Sequence, residues 1–393
     1  MSVQQFNIGV MGVGHRPMFL TRLLVRDTRF KVVAVYDRYK PALDQLEDKL
    51  QLEGSNPCCT TDLNVFFCQD LNLVIIGSTN SEHYDHIRRA MDKGLNIFCE
   101  KPIVTNLDDC RYLLEHVDSY QNLFGTGFVL RYSPFYKKVY DLIQEGVIGD
   151  ICNIRAYDGL HLGHGALINT NWRRFKSESG GHIVEKGVHL IDLLSWYVGG
   201  KDVTKLNAFG SNMFWDRNHE HLRDELKTKY SNEKLFEAYA IYEDLDPFTS
   251  EKDIEDTFSC NLQYEGGAVA NLTMVSYCPD SRREFNFVGT LGTIDAVWSK
   301  GVAKISVTTR GMGRKKDKGT PSETITFEFD DMGCHGGGDE YIVSNLISAV
   351  ANGTPMDTPV KFALESTRIG LLLERSLNHN EKNEKNEKNE KNE

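Results

Sequence analysis

The chain lacks what would take it to a membrane or a nucleic acid. No apolar run approaches the roughly 20 residues that a helix needs to span a bilayer. Acidic residues outnumber basic ones by 56 to 45, the net charge is −11, and no basic stripe interrupts the excess. Nucleic acid and anionic lipid are therefore excluded as main partners. Nine cysteines are scattered, only Cys58 and Cys59 adjoin, and no C-x-x-C spacing occurs. An odd count without a framework fits reduced thiols in the cytoplasm, not disulfides or a zinc site. The opening, Met1 to Asn7, is polar and leads straight into a strand pattern, unlike a secretory leader. With 393 residues there is length for two domains, and 40% hydrophobic residues can supply their cores.

What is there begins with alternation. Strand patterns at Phe6–Met11, Phe30–Tyr36, Leu71–Gly77, Asn96–Cys99 and Leu123–Val129 are separated by helical patterns. That order implies parallel pairing and a doubly wound sheet. After about residue 150 the texture changes. Strand patterns at Ile151–Tyr157, Val203–Gly210, Thr257–Tyr264, Ala268–Tyr277, Arg283–Val288, Val302–Thr309 and Thr324–Phe329 follow with few helices between them. Glu265-Gly-Gly marks a hairpin. The reading is α/β: residues 1–128 as a doubly wound domain, and 129–378 as an α+β domain with a large, mostly antiparallel open sheet. Residues 214–252 form a charged insertion and 311–320 a basic loop tip. Asp339–Ala351 and Lys361–Leu377 close the chain as helices. The repeat of Glu, Lys and Asn over 379–393 has nothing to bury and is expected to be disordered.

Gly12-Val-Gly14 follows the first strand and precedes a helix. Backbone without a Cβ can approach a pyrophosphate there, and the helix N-terminus offers free N–H groups, with His15 next in line. The third glycine of the dinucleotide fingerprint is missing, and Pro17 stands in its place. Proline is tolerated in the first turn of a helix but alters the close helix–strand packing that the glycine permits. Asp37 ends the second strand, where a carboxylate would bind ribose hydroxyls and repel a 2′-phosphate. Arg38 follows it and softens that discrimination. The first domain therefore reads as a Rossmann domain for NAD in preference to NADP.

The strand at Asn96–Cys99 ends in Glu100-Lys101-Pro102, and strand C-termini are where such sheets place ligands. Upstream stands Ser78-Thr79-Asn80-x-x-His83. Downstream come Arg131-Tyr-Ser-Pro, Glu145-Gly-Val-Ile-Gly149, and the run from Ser179-Gly-Gly-His through Glu185 and His189 to Asp192. His335-Gly-Gly-Gly-Asp339 and Glu374-Arg-Ser-Leu377 follow late. In this order the chain resembles the glucose–fructose oxidoreductase and inositol dehydrogenase family (Gfo/Idh/MocA) over nearly residues 6–377, the insertion and tail apart. The resemblance implies a nicotinamide held between the two domains and an open sheet that often forms the oligomer interface, so a homo-oligomer, dimer or tetramer. It assigns Ser78, Thr79, Asn80, His83, Glu100, Lys101 and Pro102 to the cofactor. Lys101 would contact the reacting hydroxyl and the nicotinamide ribose, Pro102 would be the family's cis-proline, and Arg131 would face substrate.

Glu185 and His189 stand four apart, which on a helix puts both on one face. Relatives commonly have aspartate at the first position; glutamate here is one methylene longer. Alcohol oxidation needs a base for the hydroxyl proton as hydride leaves carbon, and histidine titrates near neutrality. His189 is assigned as acid/base, Lys101 as orienter and rival base, and Glu185 as its partner or a substrate ligand. Trp172, Arg173, Asp192, His161 and His164 are the remaining substrate candidates; Arg173 and Arg174 could equally form surface salt bridges. His161-x-x-His164 lies among glycines, reads as a flexible loop, and has no third ligand at metal spacing, so no metal is expected.

The function expected is hydride transfer between NAD and a hydroxyl or keto group of a sugar, sugar derivative or cyclitol. One alternative keeps the cofactor but cycles it: transient oxidation, elimination of a glycosidic bond and return of hydride, a redox-neutral glycosidase. Another is a nucleotide-sensing regulator, which would need neither Lys101, Glu185 nor His189.

Overall fold

The computed structural model describes residues 4–46, 56–229, 245–309, 323–328 and 335–390. The chain forms two compact units. One takes the chain to Ser133 and adds Gly337–Thr367; the other holds Pro134–Gly336 and the chain from Arg368.

In the first unit, six strands pair in parallel in the order β3-β2-β1-β4-β5-β6. They are β1 (Phe6–Met11), β2 (Phe30–Tyr36), β3 (Cys58–Thr60), β4 (Leu73–Ile76), β5 (Asn96–Cys99) and β6 (Phe124–Thr126). The order reverses between β1 and β4, so the crevice outside their C-terminal ends is where a ligand belongs. β4, Leu-Val-Ile-Ile, is wholly buried, as expected of a central strand covered on both faces. The short β3 was not expected; three residues leave no period to read. The helix Lys40–Asp44 follows β2, where a helical pattern was expected, and residues 47–55 lie outside the described residues.

The sequence reading assigned all of 129–378 to the second domain. That is corrected by the return of Gly337–Thr367 to the first unit. The helix Gly338–Asn352 packs on the helix His15–Leu24 and on the turn Val129–Tyr132. Tyr132 Oη donates to Asn345 Oδ1 at 2.8 Å, and Gly125 bridges to Pro359. Local periodicity identifies a helix but not the sheet that it covers.

In the second unit, eight strands form one sheet, ordered β14-β13-β12-β11-β7-β10-β9-β8. They are β7 (Ile151–His161), β8 (Val203–Ser211), β9 (Thr257–Tyr264), β10 (Val269–Cys278), β11 (Arg282–Gly289), β12 (Gly292–Ser299), β13 (Val302–Thr309) and β14 (Glu323–Glu328). Every neighbouring pair is antiparallel except β10 with β7. β12 is absent from the expected strands: Asp295 and Ala296, both weak strand formers, interrupt its pattern. Alternation sorts the two faces. Phe258, Leu272, Phe285 and Phe287 are buried on one, where Tyr197 of the helix Val188–Tyr197 packs edge-on against both Phe285 and Phe287. The other face leaves Phe209, Val269 and Val302 exposed beside a polar row. Asn207, Asn261, Asn271, Arg155, Asn286 and Asp295 fall in one registered row, and hydrogen bonds join Asn261 to Asn207 and Asn271, and Asn286 to Arg155 and Asp295.

Of the insertion, 214–229 and 245–252 are described, and 230–244 lie outside the described residues; so does the basic loop tip at 311–320. Trp215 is fully buried against Leu162, Ala166 and Phe248, and the Asp256 carboxylate accepts the N–H groups of Met213, Phe214 and Trp215. The closing helix Val360–Glu390 continues into the repeat where disorder was expected. Among the described residues no helix is long and apolar enough to cross a membrane.

Candidate active site

In the first unit the expected cofactor residues gather at the C-terminal ends of β1, β2, β4 and β5. Gly12 has φ 93°, and a Cβ there would lie 2.5 Å from the Gly77 carbonyl oxygen, so only glycine fits. Gly14 caps the helix His15–Leu24, and a Cβ on it would have Pro17 Cδ as its nearest neighbour at 3.8 Å. The space over Gly14 is thus open beside a helix N-terminus, as a pyrophosphate requires. His15 is exposed and stacks on Phe19. Pro17 occupies the first helical turn, where its missing N–H is no loss. It packs on Gly77, where an added Cβ would lie 2.8 Å from Pro17 Cβ. Helix and sheet therefore approach closely after all, with the glycine on the other partner.

Asp37 accepts the N–H of Val13 through Oδ2 and of Tyr39 through Oδ1, both at 2.8 Å. Its carboxylate ties the glycine loop to the end of β2 and keeps lone pairs for ribose hydroxyls. Arg38 is exposed and lies 3.9 Å from Glu82. Thr79 and Asn80 are buried beyond β4. Ser78 Oγ is 2.9 Å from His86 Nδ1. Buried His83 spans two loops, with Nδ1 2.8 Å from the Pro102 carbonyl and Nε2 3.2 Å from that of Ser78. His83 therefore braces the turn beneath Lys101. The Lys101–Pro102 bond is cis, and Lys101 is half-buried.

Glu100 is a brace as well. Its Oε1 accepts Arg16 Nε at 2.9 Å and its Oε2 accepts the Lys101 N–H at 3.3 Å. Arg16 also donates to Asp339 at 2.5 Å. The Glu100-Lys101-Pro102 turn, the glycine loop and the late Gly-Gly-Gly-Asp339 motif are thus linked by one guanidinium. Sequence reasoning missed Arg16 and His86. His86 is held neutral: burial, then the charge of His83, lowers its pKa to about 3. Arg131 is buried in the turn Val129–Tyr132, its guanidinium 5.3 Å from the Phe362 ring.

In the second unit, Glu185 lies in a π turn, Ile183–Gly187, that runs into the helix Val188–Tyr197 carrying His189 and Asp192. The expectation of one regular helix is corrected here; such turns insert a residue and are frequent at functional sites. Glu185, His189 and Asp192 are all buried. Glu185 Oε1 accepts Arg173 Nε at 2.7 Å, and the Arg173 guanidinium lies 4.1 Å from the Trp172 ring. One arginine is therefore pre-oriented by a carboxylate and an aromatic face. Arg174 donates instead to the carbonyls of Thr170, Asn171 and Glu251, which makes it structural. His335 stands 6.2 Å, ring to ring, from His189. His161 and His164 are not in a flexible loop. His161 ends β7 and caps the helix Leu162–Thr170, its Nδ1 accepting the Gly163 N–H at 3.2 Å, and His164 is half-buried on that helix. Among the described residues no three His, Cys, Asp or Glu side chains are grouped to hold a metal.

Residues 6–128 match the model of an oxidoreductase family with an NAD-binding Rossmann fold, and residues 136–295 match the GFO/IDH/MocA C-terminal domain. The chain belongs to the GFO/IDH/MocA oxidoreductase family, and its first unit is an NAD-binding domain. It is 25% identical over 258 residues to the Bacillus subtilis protein YteT, covering 57% of this chain and 60% of that protein. It is 24% identical over 192 residues to a 2,7-anhydro-N-acetylneuraminate hydratase of Mediterraneibacter gnavus, covering 49% of each. The chain thus spans about half to three-fifths of the length of these curated relatives. Among solved structures, levoglucosan dehydrogenase in complex with NADH and levoglucosan superposes with a TM-score of 0.72 at 16% identity, over 95% of this chain and 97% of that one.

Proposed function

We propose that the chain transfers hydride between NAD and a hydroxyl or keto carbon of a sugar, sugar derivative or cyclitol. The observation that carries this is the Glu100-Lys101-Pro102 turn at the end of β5, with the lysine half-buried, its N–H held by Glu100, and Glu100 tied through Arg16 to the glycine loop. NAD, when bound, supplies the hydride acceptor. Lys101 orients the reacting hydroxyl. His189 takes the hydroxyl proton as the C–H bond gives up hydride, and returns it in the reverse direction. Glu185 holds Arg173, so that the Nη groups of Arg173, backed by Trp172, are presented to substrate oxygens. His161, His164 and Asp192 contribute further polar contacts. The Asp37 carboxylate favours NAD over NADP.

The test is purified protein with NAD and a panel of sugars, glycosides and inositols, followed by near-ultraviolet absorbance. Formation of NADH on one substrate, lost in both Lys101→Ala and His189→Ala, supports the proposal; no NADH on any member refutes it for that panel. The second reading, a redox-neutral elimination, is favoured by one observation, the likeness to a hydratase of an anhydro sugar acid. It predicts product without net NADH. Binding of NAD with neither outcome would favour a sensor. A cytoplasmic homo-oligomer is part of the proposal, supported by the free cysteines among the described residues and by the open eight-stranded sheet, whose outer face exposes Phe209, Val269 and Val302.

A further inference from the structure

Glu374 and Glu255 have no part in the function above, yet the fold brings both to Lys176. Glu374, on the helix Val360–Glu390, is 4% exposed. Its Oε1 accepts the N–H of Ile183 at 2.9 Å, the first residue of the π turn that carries Glu185. Its carboxylate fills the place of a side chain at Gly181, where φ is 97° and a Cβ would lie 2.2 Å from Glu374 Cδ. Glycine is what lets the acid reach the turn.

Lys176 stands against two carboxylates, bonded to Glu255 Oε1 and 3.6 Å from Glu374 Oε2. Glu255 is 3% exposed, and its carbonyl accepts His182 Nδ1–H at 2.7 Å. The thiol of Cys260 also feels the charge of Glu374. Two ionised carboxylates and one ammonium would leave a net negative charge on two nearly buried acids. Burial, then the charge of Glu255, holds the Glu374 carboxyl well above the carboxylate range, to about 8, against the opposing pull of Lys176 and the Ile183 N–H.

We propose that Glu374 is a positioning residue for the turn that carries Glu185 and leads into His189, and that one proton kept on the Glu374–Glu255 pair fixes that turn near neutral pH. The consequence for turnover rests on the proposed roles of Glu185 and His189; the placement of the turn does not. A protonated Glu374 still offers its carbonyl oxygen to Ile183. Loss of the proton adds an unscreened charge, which water entry or movement of the turn relieves.

Hydrogen exchange on the full chain tests this without a substrate, read on the amides of Ile183–Gly187 at pH 7 and 9 and corrected for the intrinsic pH dependence of exchange. Glutamine imitates the protonated acid, since it keeps an acceptor and cannot ionise. Alanine removes the acceptor. In the wild-type chain, protection of the turn should be lower at pH 9 than at pH 7, since the closed turn keeps a proton that the opened one releases. Glu374→Gln should hold its protection at both pH values, and Glu374→Ala should lose it at both. NADH affinity should be unchanged in all three. Equal protection in wild type and both variants overturns the proposal, as does a Glu374→Gln turn that loosens at pH 9 as the wild type does. If Glu374→Ala does not fold, the comparison of wild type with Glu374→Gln at the two pH values decides. On a substrate that the panel identifies, Glu374→Ala should lower kcat by about 100-fold, the cost of roughly an ångström of misplacement, and raise KM as well, since Glu185 on the same turn holds Arg173. Glu374→Gln should restore kcat and lack the wild type's alkaline fall; a Glu374→Gln enzyme as slow as Glu374→Ala overturns the positioning role. No turnover anywhere counts against the proposed function, while the exchange result still decides the role of Glu374.

Discussion

Removing the Arg16 guanidinium asks how much of the first unit is held by charge. Arg16 bridges Glu100 at 2.9 Å and Asp339 at 2.5 Å, with side-chain exposures of 22%, 7% and 11% for the three residues. In Arg16→Ala both carboxylates stay behind, and Glu100 keeps only the Lys101 N–H at 3.3 Å. Stranding a fully buried charge costs about 3–5 kcal/mol, whereas a surface pair contributes about 0–1 kcal/mol. Two nearly buried acids put this case near the first range. The partly exposed arginine shows that water comes close, so the loss should fall at the lower end, about 3 kcal/mol. Arg16→Lys replaces a planar fork with one ammonium that cannot span both acids, and should lose about 1 kcal/mol. The assay is urea unfolding at pH 7 without NADH, since ligand would mask the loss. The four tryptophans, Trp172, Trp196, Trp215 and Trp298, all belong to the second unit. Their fluorescence reports that unit, while circular dichroism reports both. The Arg16→Ala chain should unfold earlier by circular dichroism. A loss under about 1 kcal/mol would rank the triad with ordinary surface pairs, and would remove charge as a reason why Gly337–Thr367 joins the first unit.

Other expected outcomes follow from single contacts. His86 titrates near 3 in the folded chain and near 6.5 unfolded, so between those values the unfolded chain takes a proton that the folded one refuses. Stability should therefore fall as pH drops below 6.5, by up to about 1.4 kcal/mol per unit; His86→Gln should flatten that slope in acid unfolding, and an unchanged slope would refute the assignment. Gly12→Ala forces an L-residue to φ 93° against the Gly77 carbonyl; a strain of about 1–2 kcal/mol should weaken NADH about tenfold in a fluorescence titration. Gly77→Ala drives a Cβ into Pro17 and should cost about 1–3 kcal/mol. Adding Pro17→Gly should return most of it, a coupling that a double-mutant cycle reads directly.

Much of the fold was legible because period 2 and period 3.6 are local signals. β1, β2 and β5 lie where alternation put them, and so do the closing helices Gly338–Asn352 and Val360–Glu390 in their apolar parts. What escaped was non-local or interrupted: β3 is three residues long, β12 is broken by Asp295 and Ala296, and the return of Gly337–Thr367 depends on contacts across the chain. The residues proposed to surround the cofactor, and the arginine that braces them, divide the same way. Gly12, Gly14 and Asp37 could be read because each follows a strand by one to three residues. Arg16 could not, since its partners lie 84 and 323 positions away and nothing beside it in the chain announces an acid. In the second unit, the spacing of Glu185 and His189 suggested a shared helical face, but a π turn intervenes and the carboxylate is taken by Arg173, twelve residues upstream.

The missing third glycine shows why a fingerprint is better read as a contact than as a string. Its physical task is to let the first helix lie close to the sheet. Close approach of two backbones needs a small residue on one partner, and the string specifies which. Here the helix carries Pro17, whose ring leaves room for nothing larger than hydrogen opposite, and the end of β4 supplies Gly77. Pro17 could be placed on the helix from sequence alone, because its lost N–H is free in a first turn. Gly77 could not be paired with it, because 60 residues separate them and a glycine after a strand has many uses. Gly77 also lies against Gly12, so one short stretch of backbone admits both the turn and the helix. A departure at the third position is therefore no argument against cofactor binding unless the facing residue is also large.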